Sequence, residues 1–224
     1  MFNRTTLLIV MAALAAGLGL WAAQVAFLQP AATVVPAAPA AASALAVDPA
    51  RLRSVRLFPQ QRQLPPVELQ QADGTTLTGA ELQGRWTLVF LGFTHCPDVC
   101  PTTLSDLAQA QKAWADLPEA TRPRVLFVSV DPERDTPAKT GDYAAFFHPD
   151  TLAATAPVPA LEDFAAGLGL VFMKVATAAG DYSMDHSSGI VLLDPQGRQA
   201  GLIRPPLVPA DIAADLRLLA GAAP

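Results

Sequence analysis

Cysteine is nearly missing from this chain: its 224 residues include two, Cys96 and Cys100. A lone pair four positions apart excludes a disulfide-built scaffold. A chain of this length buries a core without covalent staples, and a bridge across so short a loop restrains little of the unfolded state. Positive charge is also short. Fifteen Lys and Arg stand against twenty Asp and Glu, a net charge of −5, so there is no electrostatic footprint for nucleic acid. No long internal repeat is present, and no H-E-x-x-H pattern marks a catalytic zinc helix. The cysteines are spaced C-x3-C in place of the familiar C-x2-C of dithiol oxidoreductases.

Charge is scarcest at the amino terminus, where the first fifty residues hold only Arg4 and Asp48. From Leu7 to Leu28 the chain is apolar and uncharged, with Gln24 as the one strongly polar interruption, close to the ~20 residues that cross a bilayer. Residues 1–28 therefore read as a transmembrane anchor. A cleaved secretory signal, with small-residue sites around Ala22-Ala23-Gln24-Val25-Ala26, is the competing reading. Arg4 favours a cytoplasmic amino terminus, which places the rest across the membrane as a single-pass inner-membrane protein with its carboxy-terminal domain in the periplasm. Residues 29–50 are rich in Ala and Pro without apolar periodicity and read as a semi-rigid spacer. Residues 51–224 form the globular domain.

Within that domain the signals alternate between strand and helix. Asp73-Gly74 and Gly84 mark turns around a short hairpin. Trp86 to Phe93 and Val125 to Val130 are continuous apolar runs, as expected of strands buried on both faces. Pro101 suits a first helical position for a helix reaching Trp114, and Thr136-Pro137 opens another through Phe147. A helix over Leu161 to Leu168 follows, then strands at Leu170 to Val175, Ile190 to Leu193 and Ala200 to Ile203, and a closing helix from Asp211 to Leu219. This is one α/β domain. In such sheets sites gather at the carboxyl ends of the strands, so the cysteine loop and Asp131-Pro132-Glu133-Arg134-Asp135 should lie together, with His186 reaching them from across the sheet.

Three segments, Phe93-Thr94-His95-Cys96-Pro97-Asp98-Val99-Cys100-Pro101-Thr102-Thr103-Leu104, Ser129 to Pro137, and Met184 to Gly197, in this order behind a membrane anchor, resemble the Sco/SenC family of thioredoxin-fold copper proteins. The resemblance runs from about Leu64 to the end. It implies a thioredoxin-like fold with a central mixed sheet flanked by helices, and a copper site made by Cys96, Cys100 and His186. It also implies delivery of copper to, or preparation of the thiols of, the dinuclear copper centre of cytochrome c oxidase. The implied partners are the copper-centre subunit of that oxidase and a periplasmic copper donor, with the membrane engaged through residues 7–28. One departure stands out: Thr151 to Pro157 replaces the Gly-Leu-Thr-Gly pattern often seen there.

The donor chemistry agrees. Two thiolates and an imidazole suit soft, low-coordinate Cu(I), and the nitrogen also permits Cu(II). Zinc with the same ligands would commonly need a base that the sequence does not supply. The alternative function is a thiol–disulfide oxidoreductase with Cys96 and Cys100 as the redox-active pair, reducing the cysteines of the oxidase centre. Against it stand the C-x3-C spacing and the lack of a proline before Ile190. His95 and His148 read as ordinary histidines, and Met173 and Met184 as packing residues. Asp98, Asp131 and Asp135 divide between turn and capping chemistry and an electrostatic role near the metal edge.

Overall fold

Local chemistry sets the elements. In the computed structural model they run β1 (Val55–Arg62), β2 (Glu68–Gln71), β3 (Thr76–Thr78), β4 (Thr87–Gly92), α1 (Val99–Ala113), β5 (Arg124–Ser129), α2 (Pro137–Phe147) and β6 (Leu152–Thr155). Then follow α3 (Val158–Gly167), β7 (Phe172–Ala176), β8 (Tyr182–His186), β9 (Ile190–Leu193), β10 (Gln199–Ile203) and α4 (Pro209–Gly221). The structure describes residues 47–178 and 180–222, with Asn3, Met11 and Trp21. The chain divides into two units, Met1–Ser43 and Ala44–Pro224; nearly all of the anchor and of the spacer lies outside the described residues. Among the described residues no helix is long and apolar enough to cross a membrane.

Eight strands form one mixed sheet in the order β1-β10-β9-β4-β5-β6-β2-β3, and β7 pairs with β8 apart from it. The apolar runs occupy its centre. β4 is buried at every residue and pairs in parallel with β5, Thr87 opposite Arg124 through Gly92 opposite Ser129. Leu88, Val89, Phe90, Leu91, Leu126 and Phe127 are fully buried, each stabilising the fold by about 1.5–3 kcal/mol. The indole of Trp86 donates to the Leu219 carbonyl at 3.1 Å, tying the start of this strand to α4. Asp73-Gly74 turns β2 into β3 as expected, with Gly74 at a φ of +84° that favours glycine.

Sheet direction then fixes where the site must be. β4 and β5 are parallel, so the loops after Gly92 and after Ser129 leave from one edge. β9 runs antiparallel to β4, with Leu193 opposite Thr87 and Val191 opposite Val89. The residues preceding Ile190 therefore arrive at the same edge, bringing His186 to the cysteine loop.

Five details differ from the sequence expectations. α1 begins at Val99, so Cys100 sits in the first turn of the helix and Pro101 follows it at a position where the missing N–H costs nothing. α3 begins at Val158, three residues early. β1 is an added edge strand that contains Pro59, tolerated because it pairs on one side only, with β10, across an irregularity between Leu57 and Arg62. The strand read at Leu170 to Val175 lies outside the main sheet, paired with the unforeseen β8, whose last residue is His186. The divergent segment Thr151 to Pro157 supplies β6, the strand beside β5.

Candidate metal centre

The cysteine loop is held before it is functional. Past the end of β4 the Cys96 N–H donates to the Phe93 carbonyl at 3.3 Å, and the Cys100 N–H, in the first turn of α1, donates to Cys96 Sγ at 3.3 Å. Cys100 Sγ points inward, fully buried. Gly92 makes room for it: a β-carbon there would lie 3.0 Å from Cys100 Sγ and 2.8 Å from the Phe127 ring. His186 comes from the other side, with Nε2 3.4 Å from Cys100 Sγ. One donor atom from each of Cys96, Cys100 and His186 lies within 4.8 Å of the others.

The imidazole is oriented by its surroundings. Its Nδ1 lies 3.0 Å from the Ser187 carbonyl. A carbonyl can only accept, so Nδ1 carries the proton and the Nε2 lone pair faces the sulfurs. Phe90 and Phe93 meet the ring edge-on at 5.9 and 6.1 Å. Burial lowers the His186 pKa, keeping the ring neutral and able to ligate. Burial, reinforced by the Cys96 sulfur, pushes the Cys100 thiol well above its usual range. A metal ion reverses that preference by taking the proton's place.

The acidic loop serves a different purpose from capping. Thr136, whose hydroxyl accepts from the Lys139 N–H, caps α2. Asp135 instead reaches back into the cysteine loop. Its carboxylate accepts from the Thr94 N–H at 2.7 Å, the Thr94 hydroxyl at 2.5 Å and the Ser129 hydroxyl at 2.7 Å, and Lys139 Nζ lies 3.3 Å away. Burial opposes its ionisation, yet these bonds outweigh burial and hold the carboxyl below the usual range. Asp131 accepts from Arg134 and from the Tyr182 hydroxyl. Asp98 stands at the N-cap position of α1 but makes no side-chain cap bond.

A second group, His95, Asp131 and Asp135, also brings donor atoms within 4.8 Å. Arg134, Lys139, Thr94, Ser129 and Tyr182 already satisfy its carboxylates, so it is an ion-pair network. His95 is 46 % exposed. His148 caps α2 and its Nδ1 meets Gln111 Nε2 at 2.9 Å. Met184 is buried and Met173 lies 61 % exposed, both outside the triad. Sequence reasoning did not single out Thr94, Ser129, Tyr182 or Lys174, although the first two stand inside the quoted motifs.

The contrast between the two sulfurs gives a direct expectation. Cys96 is partly exposed and Cys100 is buried with a raised pKa. Because alkylation requires an accessible thiolate, iodoacetamide at neutral pH should modify Cys96 first and leave Cys100 largely intact. Peptide mapping over time checks this; equal rates at both would contradict the geometry.

Comparison with known proteins places this arrangement. A putative copper-binding protein of Stutzerimonas stutzeri is 35 % identical over 156 residues, covering 69 % of this chain and 75 % of that protein. The mitochondrial SCO1 homolog 1 of Arabidopsis thaliana is 36 % identical over 136 residues, but the chain spans only 39 % of its length. Among solved structures, ScoI of Bradyrhizobium japonicum with copper bound is 35 % identical with a TM-score of 0.64, covering 70 % of this chain and 99 % of that one. Apo Sco1 of Thermus thermophilus is 32 % identical with a TM-score of 0.65, covering 74 % and 95 %. Both share the thioredoxin-like arrangement of helices around a mixed sheet. The SCO1/SenC family model matches residues 58–221, and the chain belongs to that family.

Proposed function

We propose that this chain is a membrane-anchored copper chaperone. Cys96, Cys100 and His186 bind one copper ion as cargo, and the domain, tethered by residues 1–28 on the periplasmic side, delivers it to or prepares the dinuclear centre of cytochrome c oxidase. The observation that carries the reading is the convergence of two sulfurs and one Nε2 within 4.8 Å at one sheet edge. Such a donor set holds Cu(I) through the thiolates and adds the nitrogen that Cu(II) favours. Copper-bound relatives support the choice of metal.

The asymmetry of the site gives a route for transfer. Cys100 and its sulfur are enclosed by Gly92, Phe127 and His186, whereas Cys96 is partly exposed. An accepting thiolate therefore approaches from the Cys96 side, and ligands exchange one at a time. The two free thiols could also carry electrons, passing a disulfide's two-electron oxidation onto themselves.

His186→Ala separates the two uses. The imidazole matters to copper coordination and little to exchange between sulfurs. The variant is expected to lose the stable thiolate–Cu(II) absorption and fail to support oxidase assembly, while its thiol titre and redox potential stay near those of the parent. Normal assembly combined with loss of disulfide reductase activity would replace the chaperone reading with the oxidoreductase one.

A further inference from the structure

The β7–β8 hairpin that ends in His186 stands outside the main sheet, and of its strand residues only Met184 is buried. Phe172 and Tyr182 pack half-buried against the core beside it. Polar contacts to the loop after β5 fasten the rest of the hairpin, and Arg134 makes several of them. Its Nε donates to Asp131 Oδ2 at 2.6 Å and its Nη1 to the Tyr182 carbonyl at 3.1 Å. Its guanidinium carbon lies 3.7 Å from the Tyr182 ring centroid, within cation–π range. The Tyr182 hydroxyl closes the circuit by donating to Asp131 Oδ1 at 2.8 Å. Beside it, Lys174 pairs with Glu133 at 2.7 Å and lies 3.8 Å from the same ring.

This latch grips the hairpin near its turn, at the Ala176–Tyr182 pair, whereas His186 pairs with Phe172 at the other end, about 13 Å along the strand. A second line of contact runs through Phe93. Arg134 sits 6.0 Å from the Phe93 ring, which in turn packs edge-on against His186. Arg134 Nη2 is buried without an acceptor, a cost that the fold bears while the other guanidinium contacts hold.

We infer that Arg134 is a positioning residue of the centre: it touches neither sulfur nor imidazole, and by latching the β7–β8 hairpin through Tyr182 and Asp131 it holds His186 over the two thiols. This inference rests on the copper reading above. A mere surface ion pair would stabilise the loop and leave the coordination unchanged.

Two variants of the full chain test it. Arg134→Met keeps the apolar stem and removes every N–H; Tyr182→Phe removes only the hydroxyl bond to Asp131. Arg134→Met should weaken Cu(II) binding about 10–100-fold, the usual effect of losing a group that orients a ligand, and shift the thiolate–Cu(II) absorption toward that of His186→Ala. Cu(I), held by both thiolates, should change by less than about threefold. Tyr182→Phe should move both readings the same way by less. In the metal-free protein, hydrogen exchange of the Tyr182–His186 amides should accelerate in both variants, while β4 and β5 amides keep their protection. A Cu(II) spectrum and affinity like the parent's in Arg134→Met, or unchanged hairpin exchange, would overturn the inference. If the parent binds no copper, the functional reading falls, and the exchange measurement then decides the latch by itself. Should Arg134→Met fail to fold, Tyr182→Phe carries the same comparison.

Discussion

Cys100→Ser is expected to lower Cu(I) affinity by at least about a hundredfold, the upper end of what even a supporting group costs a metal site. A serine hydroxyl cannot supply an anionic soft donor near neutral pH. The fold should tolerate the change. The new hydroxyl can donate to His186 Nε2, which lies 3.4 Å from the present sulfur. Apo stability should therefore stay within about 1 kcal/mol of the parent, separating lost coordination from lost structure. In the parent, uptake must displace the raised Cys100 proton, so apparent affinity should rise with pH and fall as pH drops. Competition titrations against a Cu(I) chelator at several pH values measure both effects. Parent-like affinity in the serine variant would remove the cysteine from the site.

Asp135→Ala should give the largest loss of stability, on the order of 3–5 kcal/mol, because it strips the acceptor from three donors at once and leaves Lys139 without its buried partner. The damage falls on Thr94, two residues before Cys96, so copper affinity should drop with stability. The pH dependence follows from the sign of the shift. The carboxyl is held below its ordinary value in the fold, so its contribution is fully present above the unfolded value near ~3.9. It is lost as pH falls through the folded value. Urea unfolding of both proteins at pH 7 and at acid pH tests this: the gap should narrow as pH falls. A difference within about 0.5 kcal/mol at pH 7 would show that the clamp does not bind the loop.

The sequence exposed the proposed ligands more readily than their supports. Cys96 and Cys100 stand out because cysteine is otherwise missing, and the buried runs of β4 and β5 reveal themselves as unbroken apolar stretches. His186 becomes legible through topology, since a segment before an antiparallel neighbour of β4 must arrive at the cysteine edge. Hidden elements lack such patterns. β1 carries Pro59 and two glutamines, β6 is four residues long, and β8 is interrupted by Ser183 and Asp185. Asp135 was ambiguous for a physical reason. Beside Thr136-Pro137 it has the local chemistry of a helix start, and only the tertiary fold shows that its oxygens face Thr94 and Ser129. Tyr182 was equally silent, because its value lies in a contact with Arg134 about fifty residues away in sequence.

The most direct test of the account is anaerobic copper titration of the full chain in two states, fully reduced and oxidised to a Cys96–Cys100 disulfide, followed by X-ray absorption at the copper edge. The reduced protein should take up one copper per chain with two sulfur neighbours and, as Cu(II), one imidazole nitrogen. The oxidised protein should take up none tightly, since the thiolate donors are consumed in the bridge. Stoichiometric tight binding by the disulfide form, or bound copper without sulfur neighbours, would contradict the account.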